Sequence, residues 1–325
     1  MLKRNFFHNK KFIPILVMLL GVILLSGCNE TKTKQDDVKQ EVITYTDSLN
    51  RTVTFTKKPE RVAALLGSFA DVWTLSGGTV CAAPEDAWDD YGLDLKEAVN
   101  IGGAHSPSLE GVLASNPDLV LASSSTASNV EIKDALEDAG ISVIYFDVDC
   151  FDDYLKMLKV CTDLTDREDL YEQNGLLVKE KIDSLKAELE KAELGEEDKT
   201  ILLIRVSSGL IKAKGSEGTI LGEMLSDLGC VNIADSDTSL LENLSVESVI
   251  EKEPKHIFVV TMGDDTQKAV DNLDRMMKDN PAWGTLEAVK NNRVHVMDKT
   301  SFNLKPNEKW AESYEKIMDI LLEKE

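Results

Sequence analysis

A chain of 325 residues, 42% hydrophobic and 29% charged, has room for two domains of roughly 100 to 200 residues each and is too apolar to be a disordered tail. Acidic residues outnumber basic ones 58 to 36, a formal net charge of -22. Such a surface repels phosphate backbones, so nucleic acid is excluded as a natural partner.

The chain opens on an export address. Lys3, Arg4, Lys10 and Lys11 precede an apolar run from Phe12 to Leu25, shorter than the roughly 20 residues a spanning helix needs. The run ends Leu25-Ser26-Gly27-Cys28, which resembles the lipobox of bacterial lipoproteins. That resemblance implies that residues 1–28 are a signal segment and that Cys28 becomes a lipid-bearing N-terminus. Each buried methylene of its acyl chains contributes about 0.8 kcal/mol, and two or more chains hold a protein on the bilayer. The expected location is the extracytoplasmic face of a bacterial cell membrane, with the polar residues 29–41 as a flexible tether.

Four further cysteines, Cys81, Cys150, Cys161 and Cys230, show neither a CxxC pair nor metal-ligand spacing. Cys150 and Cys161 flank a predicted helix whose ends lie about 16 Å apart, beyond disulfide reach.

Beyond the tether, ITYTD and RTVTF around Ser48-Leu49-Asn50 read as a β-hairpin. Strand-like RVAALL, DLVLA and ISVIYF then alternate with helical patterns near 68–76, 108–115, 128–139 and 151–163. This order predicts an α/β lobe over 42–167 with mostly parallel strands. Apolar residues at helical spacing between Leu170 and Leu194 predict one long helix within 168–195. A second α/β run fills 196–325: strands KTILLIRV, HIFVV and RVHVM, helices at 217–229, 246–252 and 266–278, and a last helix from Pro306 to Leu322.

An internal repeat links the two runs. SLEGVLASNPDLVLA from Ser108 matches SVESVIEKEPKHIFV from Ser245 in register. Each copy offers a capping serine, a glutamate in the first turn, a proline stop and a buried strand. The expectation is two equivalent half-molecules held apart by a rigid strut.

The blocks TDSLNRTVTFTKKPERVAAL, IGGAHSPSLEGVLASNPDLVLA, NPAWGTLEAVKNNRVHVMD and FNLKPNEKWAESYEKI, in this order and behind a lipobox, resemble the ABC-importer substrate-binding proteins that carry iron-siderophores, haem or cobalamin. The resemblance implies two Rossmann-like α/β lobes joined by a single long α-helix, with the ligand cleft between them. It also implies a monomer that delivers its ligand to an ABC permease. No cofactor is expected. In that family, glutamates at the positions of Glu110 and Glu247 meet arginines of the permease.

Open α/β sheets bind ligands outside the carboxyl ends of their strands, so the residues just after each strand are the binding candidates. In the first half these are Ser68, Phe69, Trp88, Tyr91, His105, Ser106 and Ser124; in the second, Arg205, Met262, Phe302, Asn303 and Lys305. Arg205 ends an apolar strand, and its guanidinium suits a ligand carboxylate; the alternative is a structural ion pair. Lys305 adds a second positive charge or is a surface lysine. Trp88, Phe69 and Phe302 offer stacking faces or are ordinary packing. His105 and Met262, one per half, are possible axial ligands if the solute is haem, although the relatives place methionine in the first lobe and histidine in the second. His256 and His295 fall within β-rich runs and read as structural.

The chain contains no GxSxG, HExxH or Walker glycine loop, and the expectation is a protein that is not an enzyme. A zinc or manganese binder of the two-lobed type would need more histidines than the sequence offers. A tethered haem or metal-chelate scavenger or sensor without a permease is the remaining alternative.

Overall fold

The described residues of the computed structural model are 42–263 and 265–323. The signal segment, Cys28 and the tether lie outside them. Among the described residues, no helix is long and apolar enough to cross a membrane. Strands β1 (Ile43–Thr46) and β2 (Thr52–Phe55) form the antiparallel hairpin. The Asp47 carboxylate closes its turn by accepting from the backbone N–H groups of Leu49 and Arg51.

Two sheets follow. The first contains β3 (Val62–Ala64), β4 (Val80–Ala83), β5 (Val99–Asn100), β6 (Leu119–Ser123) and β7 (Ser142–Phe146), in the order β5-β4-β3-β6-β7 and parallel throughout. The second contains β8 (Thr200–Val206), β9 (Ile211–Lys214), β10 (Val231–Asn232), β11 (His256–Thr261) and β12 (Val294–Met297). Its order is β10-β8-β11-β12, parallel, with β9 folded back antiparallel on β8. Every residue of β6 and of β11 is buried, the signature of a strand covered on both faces, which is why both read as unbroken apolar runs.

The repeat occupies equivalent places. Ser108 caps helix Leu109–Ala114, its hydroxyl accepting from the Gly111 N–H at 3.1 Å. Ser245 caps helix Val246–Lys252, accepting from the Ser248 N–H at 3.3 Å. Each helix ends at a residue of positive φ, Asn116 at 49° and Glu253 at 42°, just before the proline. Each then feeds the strand beside the first strand of its sheet, β6 on β3 and β11 on β8.

From Glu168 to Lys191 the chain is helical without a break, as a short α segment, a π turn at Glu172–Leu176 and helix Leu177–Lys191. A Cβ on Gly175 would lie 2.7 Å from Leu155 Cδ1 and 3.1 Å from Leu158 Cδ2, so a larger residue there would make these leucine side chains of helix Phe151–Thr165 shift. The Asn174 carbonyl accepts from the Tyr154 hydroxyl at 2.8 Å, and Asn174 Nδ2 donates to the Leu75 carbonyl at 2.9 Å.

The two α/β halves expected from the sequence are present, and they share an apolar layer. One apolar cluster runs from β3, β6 and β7 through helices Phe151–Thr165 and Leu177–Lys191 to β8, β11 and the last helix, Trp310–Leu321. Only the other face of each sheet has a core of its own. Trp310 is fully buried and meets Phe151 edge-on, ring centroids 6.1 Å apart. Burying a large apolar side chain contributes about 1.5 to 3 kcal/mol, so parting the halves along this layer would expose many such groups together. The halves form one compact unit.

Candidate functional site

Because the strands of both sheets other than β9 run parallel, the loops that follow them gather at one edge of each sheet. Polar contacts between the halves lie at those edges, in the stretch that follows β12. Lys299 Nζ pairs with both carboxylate oxygens of Asp90 at 3.0 Å. The Tyr91 hydroxyl donates to the Lys305 carbonyl at 3.1 Å and accepts from the Lys305 N–H at 3.2 Å. Asn307 Nδ2 donates to the Ser68 carbonyl at 3.0 Å and to Asp71 Oδ2 at 2.7 Å. Asn307 sits at φ 52°, a left-handed conformation that asparagine tolerates better than most residues. The carboxyl edges of the two sheets therefore meet at this clasp.

Arg205, near the end of β8, is half-buried and has no carboxylate within ion-pair distance among the described residues. Burial alone lowers its pKa. Among the described residues, no acid makes the structural ion pair that was the alternative role for this residue. Arg205 stands opposite Lys212 and Leu203 opposite Lys214, so three cations share one face of the β8–β9 ribbon. Burial lowers the pKa of Lys214, helped by Arg205 and Lys212.

Lys305 is also half-buried without an ion-pair partner among the described residues. Burial pulls its pKa down, while Asp149 and Asp147, just beyond β7, push it back up. Lys212 and Lys214 escaped the sequence reading, although the alternation Ile-Lys-Ala-Lys after Ser207-Ser208-Gly209 is the period-two signal of an amphipathic strand.

The other candidates divide. Phe69 and Phe302, 1% and 2% exposed, lie in the shared core and present no stacking face. Ser68 is buried, its carbonyl committed to Asn307. Tyr91 is occupied by the peptide of Lys305. Trp88 is half-buried and packs against the shared core. Ser124 is half-buried and bonds through its N–H to the Phe146 carbonyl at 3.0 Å. Asn303 is half-buried.

His105 and Ser106 are exposed in the loop after β5, and Met262 is 42% exposed after β11. His256 and His295 face each other instead, Nδ1 to Nε2 at 3.1 Å, and burial pushes the pKa of His256 down to about 4. Among the described residues no group of three or more His, Cys, Asp or Glu could hold a metal ion, and the four described cysteines are free. Glu110 and Glu247 are exposed in the first turns of the two repeat helices. Glu247 accepts from the Ser245 hydroxyl at 2.9 Å.

The family model for periplasmic binding proteins matches residues 62–300, from β3 to beyond β12. The chain belongs to the periplasmic binding protein family. The match covers both sheets, the helical rod and the clasp's Lys299. This periplasmic binding protein is 26% identical over 312 residues to the Fe(3+)-citrate-binding protein YfmC of Bacillus subtilis (strain 168), covering 91% of this chain and 92% of that one. Its fold is similar to that of SirA from Staphylococcus aureus, solved in complex with staphyloferrin B. There the TM-score is 0.66 at 23% identity, over 86% of this chain and 97% of that one. It is also similar to the periplasmic heme-binding protein RhuT from Roseiflexus sp. RS-1, with a TM-score of 0.66 at 18% identity over 81% and 98% of the two chains.

One carboxyl of the clasp titrates in an accessible range. Burial, with Glu308 adding repulsion, raises the pKa of Asp71 to about 6 against the pull of its bond from Asn307 and of Lys309. A carboxyl held protonated longer in the fold than in the unfolded chain contributes stability that is full below the unfolded value near ~4 and lost as pH rises through the folded value. Asp71→Asn removes this dependence and keeps an acceptor for Asn307. Between pH 4 and pH 7, urea unfolding should show the wild type losing about 1 to 3 kcal/mol relative to Asp71→Asn. Parallel pH profiles would count against the buried-acid account of the clasp.

Proposed function

We propose that this chain is the extracytoplasmic solute-binding lipoprotein of an ABC importer, anchored through Cys28, and that it captures an anionic ferric chelate in the seam between its sheets. The observation that carries the ligand class is Arg205. It is a half-buried guanidinium with no acid within ion-pair distance among the described residues, in a chain whose acids outnumber bases 58 to 36. Lys212, Lys214 and Lys305 add charge of the same sign at the carboxyl edge of the second sheet. A chelate rimmed with carboxylates supplies the missing partners, and a guanidinium fork binds carboxylate in two-point geometry.

Support also comes from the relative named for Fe(3+)-citrate binding and from the fold shared with a staphyloferrin B complex. Cobalamin offers these cations less charge to answer. Haem brings two carboxylates, and His105 and Met262 are open to solvent for it. A hemin titration decides: a Soret band that moves on His105→Ala would select haem, and its absence is the expected result.

With ferric citrate as the probe and tryptophan fluorescence as the signal, Arg205→Gln should weaken binding by about 10- to 100-fold, the worth of one charge-assisted contact. Wild-type affinity in that variant would remove Arg205 from the site.

Delivery to the permease rests on Glu110 and Glu247, one on each half at equivalent helix starts. Two acids held at a fixed spacing by a shared core make matched anchors for basic residues of a membrane partner. Reversing both, Glu110→Arg with Glu247→Arg, should abolish uptake of iron-55 citrate by cells while the purified protein binds as before. Undiminished uptake would favour a scavenger that works without a permease.

A further inference from the structure

We propose that Tyr91 is a positioning residue for Lys305: its hydroxyl grips the peptide of Lys305 from across the seam and so aims the ammonium at the bound anion. This rests on the anionic-chelate reading above and goes beyond it, since Tyr91 then never touches the ligand. The geometry is specific. One phenol oxygen both donates to the Lys305 carbonyl, at 3.1 Å, and accepts from the Lys305 N–H, at 3.2 Å. The ammonium itself has no ion-pair partner among the described residues.

The same stretch is pinned on either side. Lys299 pairs with Asp90 next to Tyr91, and Asn307 reaches Ser68 and Asp71. A loop that would otherwise sample many conformations is thus fixed at three places, and Tyr91 holds the place that carries the charge. The carboxylates facing Lys305 are Asp149 and Asp147 in the first half, neither within ion-pair distance. Burial raises the Tyr91 pKa strongly, so the phenol keeps the proton it donates at any physiological pH. A side chain preorganised in this way binds an anion without first losing conformational freedom.

The test is a double-mutant cycle on the full protein, with ferric citrate titrated into wild type, Tyr91→Phe, Lys305→Met and the double variant. Tyr91→Phe keeps the ring and removes only the hydroxyl, and circular dichroism melting verifies that each variant is folded. Tyr91→Phe should bind about ten-fold more weakly than wild type, the loss expected from two hydrogen bonds. In the Lys305→Met background the same change should alter affinity by less than about two-fold, because the group it aims is gone. A merely structural role would lower affinity equally in both backgrounds, and that additive result overturns the assignment, as does wild-type affinity in Tyr91→Phe. Should wild-type protein fail to bind ferric citrate at all, the anionic-chelate reading falls and this assignment with it. Wild-type binding with additive losses sinks the assignment alone.

Discussion

A cation removed from water needs an anion. Full burial of an isolated charge is prohibitive, and partial burial still costs free energy unless hydrogen bonds or a counterion offset it. Arg205 and Lys305 stand in that condition: half-buried, their pKa values lowered chiefly by burial, with no carboxylate in contact among the described residues. A fold this rich in acid could have supplied partners, as it does for Arg51, whose guanidinium lies against Asp47 and Glu137. At the carboxyl edge of the second sheet the described residues supply none, and the anionic solute proposed above would take that place.

That arrangement has value only if the two edges stay where they are. The shared apolar layer holds them, and Trp310 shows how. It belongs to the last helix, past the end of the second sheet, yet it packs against Phe151 of the first half. The helical rod forms one side of this layer, with Gly175 packed against Leu155 and Leu158. The clasp from Lys299 to Asn307 is a second crossing between halves, polar where the first is apolar. With two such ties, rearrangement on binding is expected in side chains and loops more than as a swing of whole halves.

The periodic parts of the fold are legible in the sequence. Both long strands of each sheet, the repeat and its serine caps, and the rod were visible as apolar runs and helical spacing, because burial on both faces or on one stripe leaves that pattern. The short strands β4, β5 and β10 were not: alanine and cysteine in Val80–Ala83 carry little strand signal, and two-residue strands carry none. Arg205 stood out because a charge at the end of an apolar strand is anomalous. Phe69 and Phe302 misled because an aromatic after a strand looks the same whether it faces a ligand or the core. The clasp was invisible, since nothing in the local sequence of Asp90, Tyr91 or Asp71 points to partners more than two hundred residues away.

On the proposed function, Arg205 and Lys305, unpaired among the described residues, await an anionic chelate. A crystal structure of the protein grown with ferric citrate tests it most directly. Carboxylate oxygens of the chelate within about 3 Å of the Arg205 guanidinium, with the Lys305 ammonium turned toward them, are the predicted result. A chelate seated away from both cations, or a seam in which Arg205 and Lys305 have closed onto Asp147 and Asp149 with no ligand between, would contradict it.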